Sequence, residues 1–365
     1  MAINTYAVGD AETVKRWSLR FGFEALPATY FGQFMGESMD SMIVRKTELE
    51  KGPGDRITCV LSLLPTGAPI SGGPLEGQEE AIQTVTDSLV IDELDKPVKV
   101  PAKRTISQQR VGDDLREVAF EQLKNYWTDH MDTSMFNVLA GYTAASSVNY
   151  TGMQAATAPT TGRHLWCDAS AANGVSTTLT DATIASTDTF TLKALDHAKL
   201  RMSIKDSNGN YRIRPLKIGG KKKYVAFLHP IQVVAMRTDA ETAGQWYDIQ
   251  QAAIMGGDIS ENPIYTGALG EYNGIILHEA ENVPTGAVTT TDYPNVRRAI
   301  ICGAQAAHIA FGQNNSPTMF SWTEKLFQYD KELGVNCGTI FGMKKTVYNS
   351  IDYGAFVLSS AAVAV

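Results

Sequence analysis

This chain of 365 residues has few charged side chains and no long apolar run. No stretch approaches the roughly 18 apolar residues of a membrane-spanning helix, so the sequence predicts no membrane partner. Asp10 and Glu12 interrupt the N-terminal segment before an apolar core can form, which argues against a signal peptide. Charged residues make up 19% of the chain, whereas about 25% is typical of soluble proteins. Such a low fraction indicates that partners cover much of the surface.

Cysteine pairs with metal-ligand spacing are also missing. Cys59, Cys167, Cys302 and Cys337 are scattered, and no two of them form a Cys-x-x-Cys motif. This spacing predicts reduced, buried thiols in a cytoplasmic product rather than a disulfide framework or a zinc site. The net charge of −7 gives no overall sign of nucleic-acid affinity.

Three segments resemble catalytic or phosphate-binding motifs, but each of them lacks a required residue. Residues 36–40 (GESMD) lack the final glycine of a nucleophile elbow. Residues 219–221 (GGK) lack the first glycine and the following Ser or Thr of a phosphate loop. His278 and Glu279 are followed by Asn282, where a zinc protease needs its second histidine. The sequence therefore predicts no catalytic, cofactor-binding or metal-binding residues, and we expect the protein not to be an enzyme.

A long helical pattern precedes Gly141. Apolar residues recur at spacings of three and four along one face, without an internal proline. Asp113 and Asp114 occupy the N-cap position, Glu117 stands where a capping box places its acid, and Gly141 can end the helix in a left-handed conformation. A helix over 113–140 would span roughly 40 Å. Two interpretations remain open, namely a long core helix of any α+β protein and the spine of a flat, shell-forming subunit.

The N-terminal segment is unusually aromatic. Residues 10–35 have a helical pattern that Pro27 must break, and they carry many large apolar side chains. A chain terminus frays in water unless a surface holds it. Such an arm either packs on its own core or lies across a neighbouring molecule, and its terminal position alone does not decide between the two.

Two strand patterns flank a loop rich in glycine and proline. Residues 57–63 alternate between apolar and polar side chains, and residues 81–91 form a second candidate strand. The connection between them, 65–80, is too long for a tight turn. A hairpin of this kind is either a flap over its own core or an extended loop that docks on an adjacent subunit. The second is favoured because Ile70 and Leu75 would otherwise be apolar groups stranded at the loop tip.

Alternating helix and strand patterns fill the rest of the chain. Residues 97–110 form a basic connection to the long helix, and Leu192–Ser203 is predicted to be a helix capped by Thr189 or Thr191. Gly338 and Gly342 lie inside a predicted strand and indicate bulges or close backbone contacts. The other elements predicted beyond residue 212 are strands at 223–228, 274–278, 298–311, 335–348 and 355–358, helices at 231–237 and 244–255, and a small apolar tail at 359–365 that is either mobile or tucked into an interface.

Four short phrases and the order of these elements resemble a known family. The phrases are 31–36 (FGQFMG), 54–58 (GDRIT), 75–80 (LEGQEE) and 110–112 (RVG). No phrase is chemically diagnostic alone, and the specificity lies in their order and spacing over nearly the whole chain. In these respects the chain resembles the major capsid proteins of tailed double-stranded-DNA bacteriophages, and among them those of large-virion podophages.

The resemblance implies the Hong Kong 97-type fold. This is an α+β fold with an N-terminal arm, an extended β-hairpin loop, a peripheral domain built on a spine helix and an α/β axial domain. The extended loop is expected to reach over a neighbouring subunit. The implied boundaries are 1–49 for the N-terminal arm, 50–92 for the extended loop, 93–203 for the peripheral domain with its spine helix at 113–140, 204–315 for the axial domain and 316–365 for the return strands of the peripheral domain.

The implied function is a structural one. The protein is expected to self-assemble as hexamers and pentamers into the icosahedral shell that encloses phage genomic DNA, after synthesis in the cytoplasm of the bacterial host. The implied partners are copies of itself, a separate scaffolding protein, the portal, decoration proteins and packaged DNA, which is contacted non-specifically. Intersubunit contacts are expected at the loop tip through Gly67, Ile70, Gly72, Gly73, Leu75 and Glu76, and at the arm through Trp17, Phe21, Phe23, Tyr30 and Phe31.

Two other functions stay open on the sequence alone. An encapsulin-type nanocompartment protein would use the same fold to enclose a cargo enzyme. A soluble hydrolase would use Cys167 or His229 in a deep pocket of a monomer or a small oligomer. Images of purified particles separate the first alternative from a phage shell, and a size measurement separates the second.

Overall fold

The computed structural model places a long helix against one β-sheet and joins it to a second, larger sheet. It describes residues 29–48, 54–62, 71–72, 76, 79–82, 84–103, 105, 114–144, 152–204, 212–218, 220–238, 268–312 and 319–362. The helices are η1 (Tyr30–Phe34, a 3-10 helix), α1 (Leu115–Ala140), α2 (Leu192–Ser203) and α3 (Pro230–Thr238). The strands are β1 (Met35–Gly36), β2 (Ile43–Lys46), β3 (Arg56–Ser62), β4 (Thr84–Val90), β5 (Asp92–Pro101), β6 (His164–Cys167), β7 (Val175–Ser176), β8 (Leu216–Ile218), β9 (Lys221–Leu228), β10 (Ala268–Tyr272), β11 (Ile275–Glu279), β12 (Thr285–Val288), β13 (Thr291–Cys302), β14 (Ala307–Phe311), β15 (Phe320–Phe327), β16 (Glu332–Lys345), β17 (Val347–Tyr348), β18 (Ile351–Asp352) and β19 (Ala355–Ala361).

Helix α1 is the predicted long helix, and both of its ends are capped by the residues that the sequence indicated. The Asp114 side chain accepts a hydrogen bond from the Arg116 N–H at 3.1 Å. Gly141 adopts a left-handed conformation with φ 61°, which brings the Tyr142 N–H to 2.8 Å from the Asn137 carbonyl oxygen. The buried face of the helix carries Phe120, Leu123, Trp127, Met131, Met135, Phe136 and Leu139.

The first sheet lies against α1. Its strands follow the order β1-β2-β14-β16-β15, and β5 pairs along the opposite edge of β16. The ring centroids of Phe120 and Trp322 are 5.5 Å apart, and those of Trp127 and Phe320 are 5.8 Å apart. Each large apolar side chain buried in this way contributes roughly 1.5–3 kcal/mol. These contacts therefore hold the helix flat on the sheet.

The second sheet has nine strands among the described residues, and they come from distant parts of the chain. Its order is β10-β11-β9-β13-β19-β6-β7, with β12 paired to β13 and β8 paired to β9. Helix α2 begins at the predicted Thr191 cap and buries Leu195, Ala198 and Met202 in the core of this lobe. Its central strands bury nearly every side chain, as expected for strands covered on both faces.

The sheets cut across the predicted domain boundaries. β15 and β16 lie in the first sheet, whereas β19 lies in the second, so the segment 316–365 is divided between the two lobes. β6 pairs with β19, which places part of the segment 93–203 in the second lobe as well. The physical reason is that strand pairing joins positions far apart in the chain, which local patterns do not record.

Several predicted elements change their bounds. The connection at 97–110 is a continuation of strand β5 as far as Pro101. The predicted strand 298–311 is divided into β13 and β14 by a turn at 303–306. The first part of the predicted tail, 359–361, is the end of strand β19, buried within its own chain, and not a mobile segment. The predicted helix 244–255 lies outside the described residues.

Of the described helices, none is long and apolar enough to cross a membrane.

Candidate intersubunit surfaces

Strands β3 and β4 form a two-stranded antiparallel hairpin, which we call the ribbon. The pairing runs from Arg56 opposite Val90 to Ser62 opposite Thr84, so the predicted hairpin is confirmed. Because side chains alternate along a strand, the ribbon has two faces. One face buries Ile57, Cys59 and Leu89 against Ala310 of β14. The other face is exposed.

Burial decreases along the ribbon away from its base. On the face that lies on the body, Ile57 and Cys59 near the base are 4% and 8% exposed. The opposed pair Leu61 and Val85 is half-buried. The ribbon therefore leaves the body of its own subunit near this pair. Val60 on the opposite face is 58% exposed, and Ile82, two residues before β4, is 81% exposed.

The predicted loop-tip residues are only partly described. Gly72 and Glu76 are exposed, and Gly72 has a left-handed φ of 69°, where an added Cβ would meet no atom of the described residues within 4 Å. The other four, Gly67, Ile70, Gly73 and Leu75, lie outside the described residues. Their contacts with a neighbouring subunit stay a prediction.

A polar clasp fixes the base of the ribbon to the first sheet. The Asp87 carboxylate accepts hydrogen bonds from the Lys344 ammonium group and from the Val347 N–H, the latter at 3.1 Å. Lys344 also donates to the Ser88 carbonyl oxygen at 3.0 Å. Close backbone packing adds to the clasp, because a Cβ at Gly342 would lie 2.2 Å from the Val90 carbonyl oxygen. The interpretation of Gly342 as a close backbone contact is thereby confirmed.

The described end of the arm docks on α1. The N–H groups of Tyr30 and Phe31 donate to the Asp132 carboxylate at 2.7 and 3.2 Å. The Phe31 ring is fully buried, with its centroid 4.5 Å from that of Phe136 and 5.4 Å from that of Phe227. Phe31, which the sequence placed at an intersubunit contact, is thus enclosed by its own chain and has no surface left for a neighbour.

Of the other four arm residues predicted to make intersubunit contacts, one is described by the structure and three are not. Tyr30 is half-buried beside Phe136 at a centroid distance of 6.2 Å. Trp17, Phe21 and Phe23 lie outside the described residues, and their contacts stay a prediction.

The Asp132 anchor was not predicted from the sequence, because its hydrogen-bond partners are about one hundred positions away, at separations of 102 and 101 residues.

Asp132 offers a test of this anchor through its pKa. Burial raises the pKa of Asp132 to about 6, although the two N–H groups act in the opposite direction. Because this value exceeds the ordinary 3.8 of an unfolded chain, the folded protein takes up the proton first and gains stability as the pH falls from about 6 to about 4. An asparagine does not titrate and keeps one of the two acceptor oxygens, so we expect the stability of Asp132→Asn relative to the wild type to fall as the pH falls over this interval.

Urea denaturation of the two proteins between about pH 4 and pH 7 measures this difference. Asp132→Ala is the control, because it removes both acceptor oxygens together with the titrating carboxyl. It should be less stable than Asp132→Asn by about 1–3 kcal/mol at every pH, and its difference from the wild type should change with pH as that of Asp132→Asn does. A constant difference between Asp132→Asn and the wild type would contradict the assignment.

A second buried polar group joins α1 to the second sheet. The Arg298 guanidinium donates to the Asp181 carboxylate from Nε at 2.8 Å, and from Nη1 to the carbonyl oxygens of Ala140 and Gly141 at 3.2 and 2.8 Å. Trp166 Nε1 donates to Asp181 at 2.8 Å. No local pattern in the sequence indicates this group.

The residues of the hydrolase alternative are poorly suited to catalysis. Burial raises the pKa of the Cys167 thiol to about 12, so the nucleophilic thiolate is not formed near neutral pH. Burial lowers the pKa of His229 to about 4, and its Nδ1 accepts a hydrogen bond from the Ile231 N–H. All four cysteines are free and buried, as predicted. Within the described ranges, no three His, Cys, Asp or Glu side chains cluster in a way that could hold a metal ion.

A spine helix on one sheet, a second sheet-based lobe and a projecting ribbon define a shell-forming subunit with the Hong Kong 97-type fold of phage capsids. The chain belongs to the phage capsid protein family, whose model matches residues 5–364.

Individual relatives agree with this family. The major capsid protein of Pseudomonas phage KPP25 is 26% identical over 361 residues, which cover 92% of this chain and 89% of that protein. The capsid structure of Ralstonia phage GP4 matches with a TM-score of 0.77 and 26% identity, over 100% of this chain and 99% of that one. The capsid of cyanophage Pam1 shares the fold, with a TM-score of 0.69 and 19% identity over the whole of both chains.

The family decides between the functions that the sequence left open. The chain is a major capsid protein, a structural subunit of the virion that associates with copies of itself into an icosahedral shell. A phage shell is therefore favoured over an encapsulin-type compartment.

Proposed function

We propose that the ribbon is the element that joins each capsid subunit to the next one within hexamers and pentamers. The observation that carries this proposal is the loss of burial along one face of the ribbon, from Ile57 at 4% exposed to the half-buried pair Leu61 and Val85, with Ile82 just before β4 at 81% exposed. Exposed apolar side chains on a two-stranded ribbon are unfavourable in water, and such a ribbon is marginally stable without a surface to lie on. A neighbouring subunit supplies that surface.

The arm has the complementary role in this proposal. Its described end is fixed to α1 through Asp132, so the residues before Thr29 start from a defined point on the spine helix. Trp17, Phe21 and Phe23 then lie across a neighbouring subunit. Large aromatic side chains of this kind dominate the energy of protein interfaces.

The proposal also includes partners other than copies of the chain itself. A separate scaffolding protein acts during assembly, the portal and decoration proteins join the shell, and packaged DNA touches its inner wall without specificity. The net charge of −7 supports weak contact with DNA, because a strongly basic wall would hold the phosphates.

The free, buried cysteines support synthesis in the cytoplasm of the bacterial host. The raised pKa of Cys167 and the family's structural role support a protein without enzymatic activity.

Val60→Asp tests the ribbon. Val60 is 58% exposed in the single subunit, so the substitution should change the free energy of unfolding by no more than about 0.5 kcal/mol. We expect it to abolish closed shells, because it would place an unpaired charge at the contact with the neighbour. Negative-stain electron microscopy and sedimentation of the purified protein measure shell formation.

Thr58→Asp is the matched control. Thr58 is exposed on the same face of β3, two residues nearer the base, where the ribbon lies on its own body. This variant should assemble like the wild type. Normal shells from Val60→Asp, or equal losses from both variants, would refute the proposed role.

A further inference from the structure

The sheet face beneath the ribbon contains a histidine that no other feature of the protein explains. His308 and Ala310 are two residues apart in β14 and therefore point to the same face. Ala310 packs under Ile57 and Leu89 of the ribbon. His308 is directly opposite Lys344 in the pairing of β14 with β16. The histidine thus lies beside the lysine that clasps the ribbon.

The His308 imidazole is enclosed without hydrogen bonds. It is 4% exposed, and within the described part of the chain neither of its ring nitrogens has a hydrogen-bond partner. Leaving buried polar atoms unpaired costs about 1–3 kcal/mol each, so natural proteins rarely retain them without a role. The titratable and charged groups around this site are Lys46 and Glu48 at the end of β2, Cys59 of β3, Asp87 of β4, Lys344 of β16 and Tyr348 of β17.

We propose that His308 makes the clasp sensitive to acid, so that uptake of a proton by its imidazole releases the base of the ribbon from the sheet. In the closed clasp the imidazolium would be buried next to two ammonium groups, those of Lys46 and Lys344. Opening the ribbon uncovers this face and lets water solvate the new charge. The effect on shell contacts rests on the proposed role of the ribbon, whereas the opening itself does not.

The direction and size of the effect follow from the two states of the histidine. Burial lowers the pKa of His308 from 6.5 to about 4, Lys46 and Lys344 act in the same direction, and Asp87 opposes them. A lowered pKa means that the closed clasp is fully stable above about pH 6.5 and loses stability as the pH falls toward about 4. The opening equilibrium should therefore rise on the order of 100-fold over this interval.

Hydrogen–deuterium exchange of assembled particles between about pH 7 and pH 4 tests the proposal. Exchange rates are divided by the intrinsic rate at each pH, and the ribbon base, 56–61 and 85–90, is compared with the central strands β13 and β19. Two variants, His308→Gln and His308→Phe, replace the histidine by groups that do not titrate. His130→Gln is the matched control, because burial also lowers the pKa of His130 to about 4, but it lies on α1 beside Tyr126 and Trp127.

In the wild type and in His130→Gln we expect the ribbon base to lose protection on the order of 100-fold while β13 and β19 keep theirs. In both His308 variants the ribbon base should stay protected. The inference is overturned if the wild-type ribbon keeps its protection at about pH 4, or if the His308 variants lose it equally.

Two further measurements apply if the His308 variants do not fold, or if the ribbon does not contact a neighbouring subunit as proposed. If neither His308 variant folds, Lys46→Gln decides. Removal of this cation raises the pKa of His308 in the closed clasp toward its value in the open clasp, so the loss of protection at about pH 4 should be smaller than in the wild type, and an unchanged loss overturns the inference. The same exchange experiment on unassembled Val60→Asp subunits reports on the clasp alone. It therefore separates a failure of this inference from a failure of the ribbon's proposed contact with a neighbour.

Discussion

Replacement of Arg298 by methionine is expected to lower the free energy of unfolding by about 3–5 kcal/mol, because it leaves the buried Asp181 carboxylate without its cation. Arg298 is 3% exposed and Asp181 is 3% exposed, so water cannot take the place of the lost partner. Burial tends to raise the pKa of Asp181, but the charge of Arg298 and the hydrogen bond from the Ala287 N–H outweigh it and keep the pKa below its usual value. The carboxylate is thus charged in the folded protein and depends on the guanidinium.

The same substitution also uncaps the spine helix. The guanidinium donates to the carbonyl oxygens of Ala140 and Gly141, which end α1 and have no partner further along the helix. A cation at this end also interacts favourably with the helix dipole. One side chain therefore couples the spine helix to the second sheet, and its loss should loosen both.

Chemical denaturation of purified subunits measures the effect. Arg297→Met is the matched control, since Arg297 is the neighbouring arginine, is half-buried and donates to the Val283 carbonyl oxygen at 3.1 Å. It should cost about 1 kcal/mol. Adding Asp181→Asn to Arg298→Met should restore part of the loss, because the unpaired charge is then removed. Equal effects of the two arginine variants would show that the Arg298 group is not the joint between α1 and the second sheet.

Local signals in the sequence were sufficient for the spine helix and the ribbon. Helix α1 has apolar spacings of three and four, an aspartate at its start and a glycine at its end, and each of these acts within a few residues. The ribbon strands alternate with period two, and a long glycine-rich stretch separates them. These elements depend on interactions between near neighbours in the chain.

Non-local contacts account for what the sequence did not reveal. Arg298 and Asp181 are 117 residues apart. A charged residue inside a strand pattern does not indicate that it has a buried partner, so this ion pair could not be predicted. Val357 of β19 pairs with His164, so the division of the last fifty residues between two sheets could not be read from their own pattern. Phe31 illustrates the same point for the candidate contacts. Aromatic content marked it as a side chain that needs a surface, but only the fold shows that its own chain supplies that surface.

The second large effect is expected at Gly342. A methyl group there would lie 2.2 Å from the Val90 carbonyl oxygen and 3.2 Å from the Ile91 Cα, and both are backbone atoms that cannot rotate away. Gly342→Ala must therefore push the base of the ribbon off β16 or bend the strand. Overpacking of this kind costs about 1–3 kcal/mol. Because the ribbon's direction is fixed at this point, shell formation should be lost as well.

Gly338→Ala separates this effect from a general intolerance of side chains in β16. Gly338 is on the same face, four residues earlier, and its new methyl group would meet Asp95 Oδ1, the end of an exposed side chain that can turn aside. This control should cost less than about 1 kcal/mol and should still assemble. Denaturation curves give the stability, and electron microscopy counts closed shells. Closed shells from Gly342→Ala in normal yield would show that the ribbon does not need its close approach to β16, and that the clasp at Asp87 and Lys344 alone sets its direction.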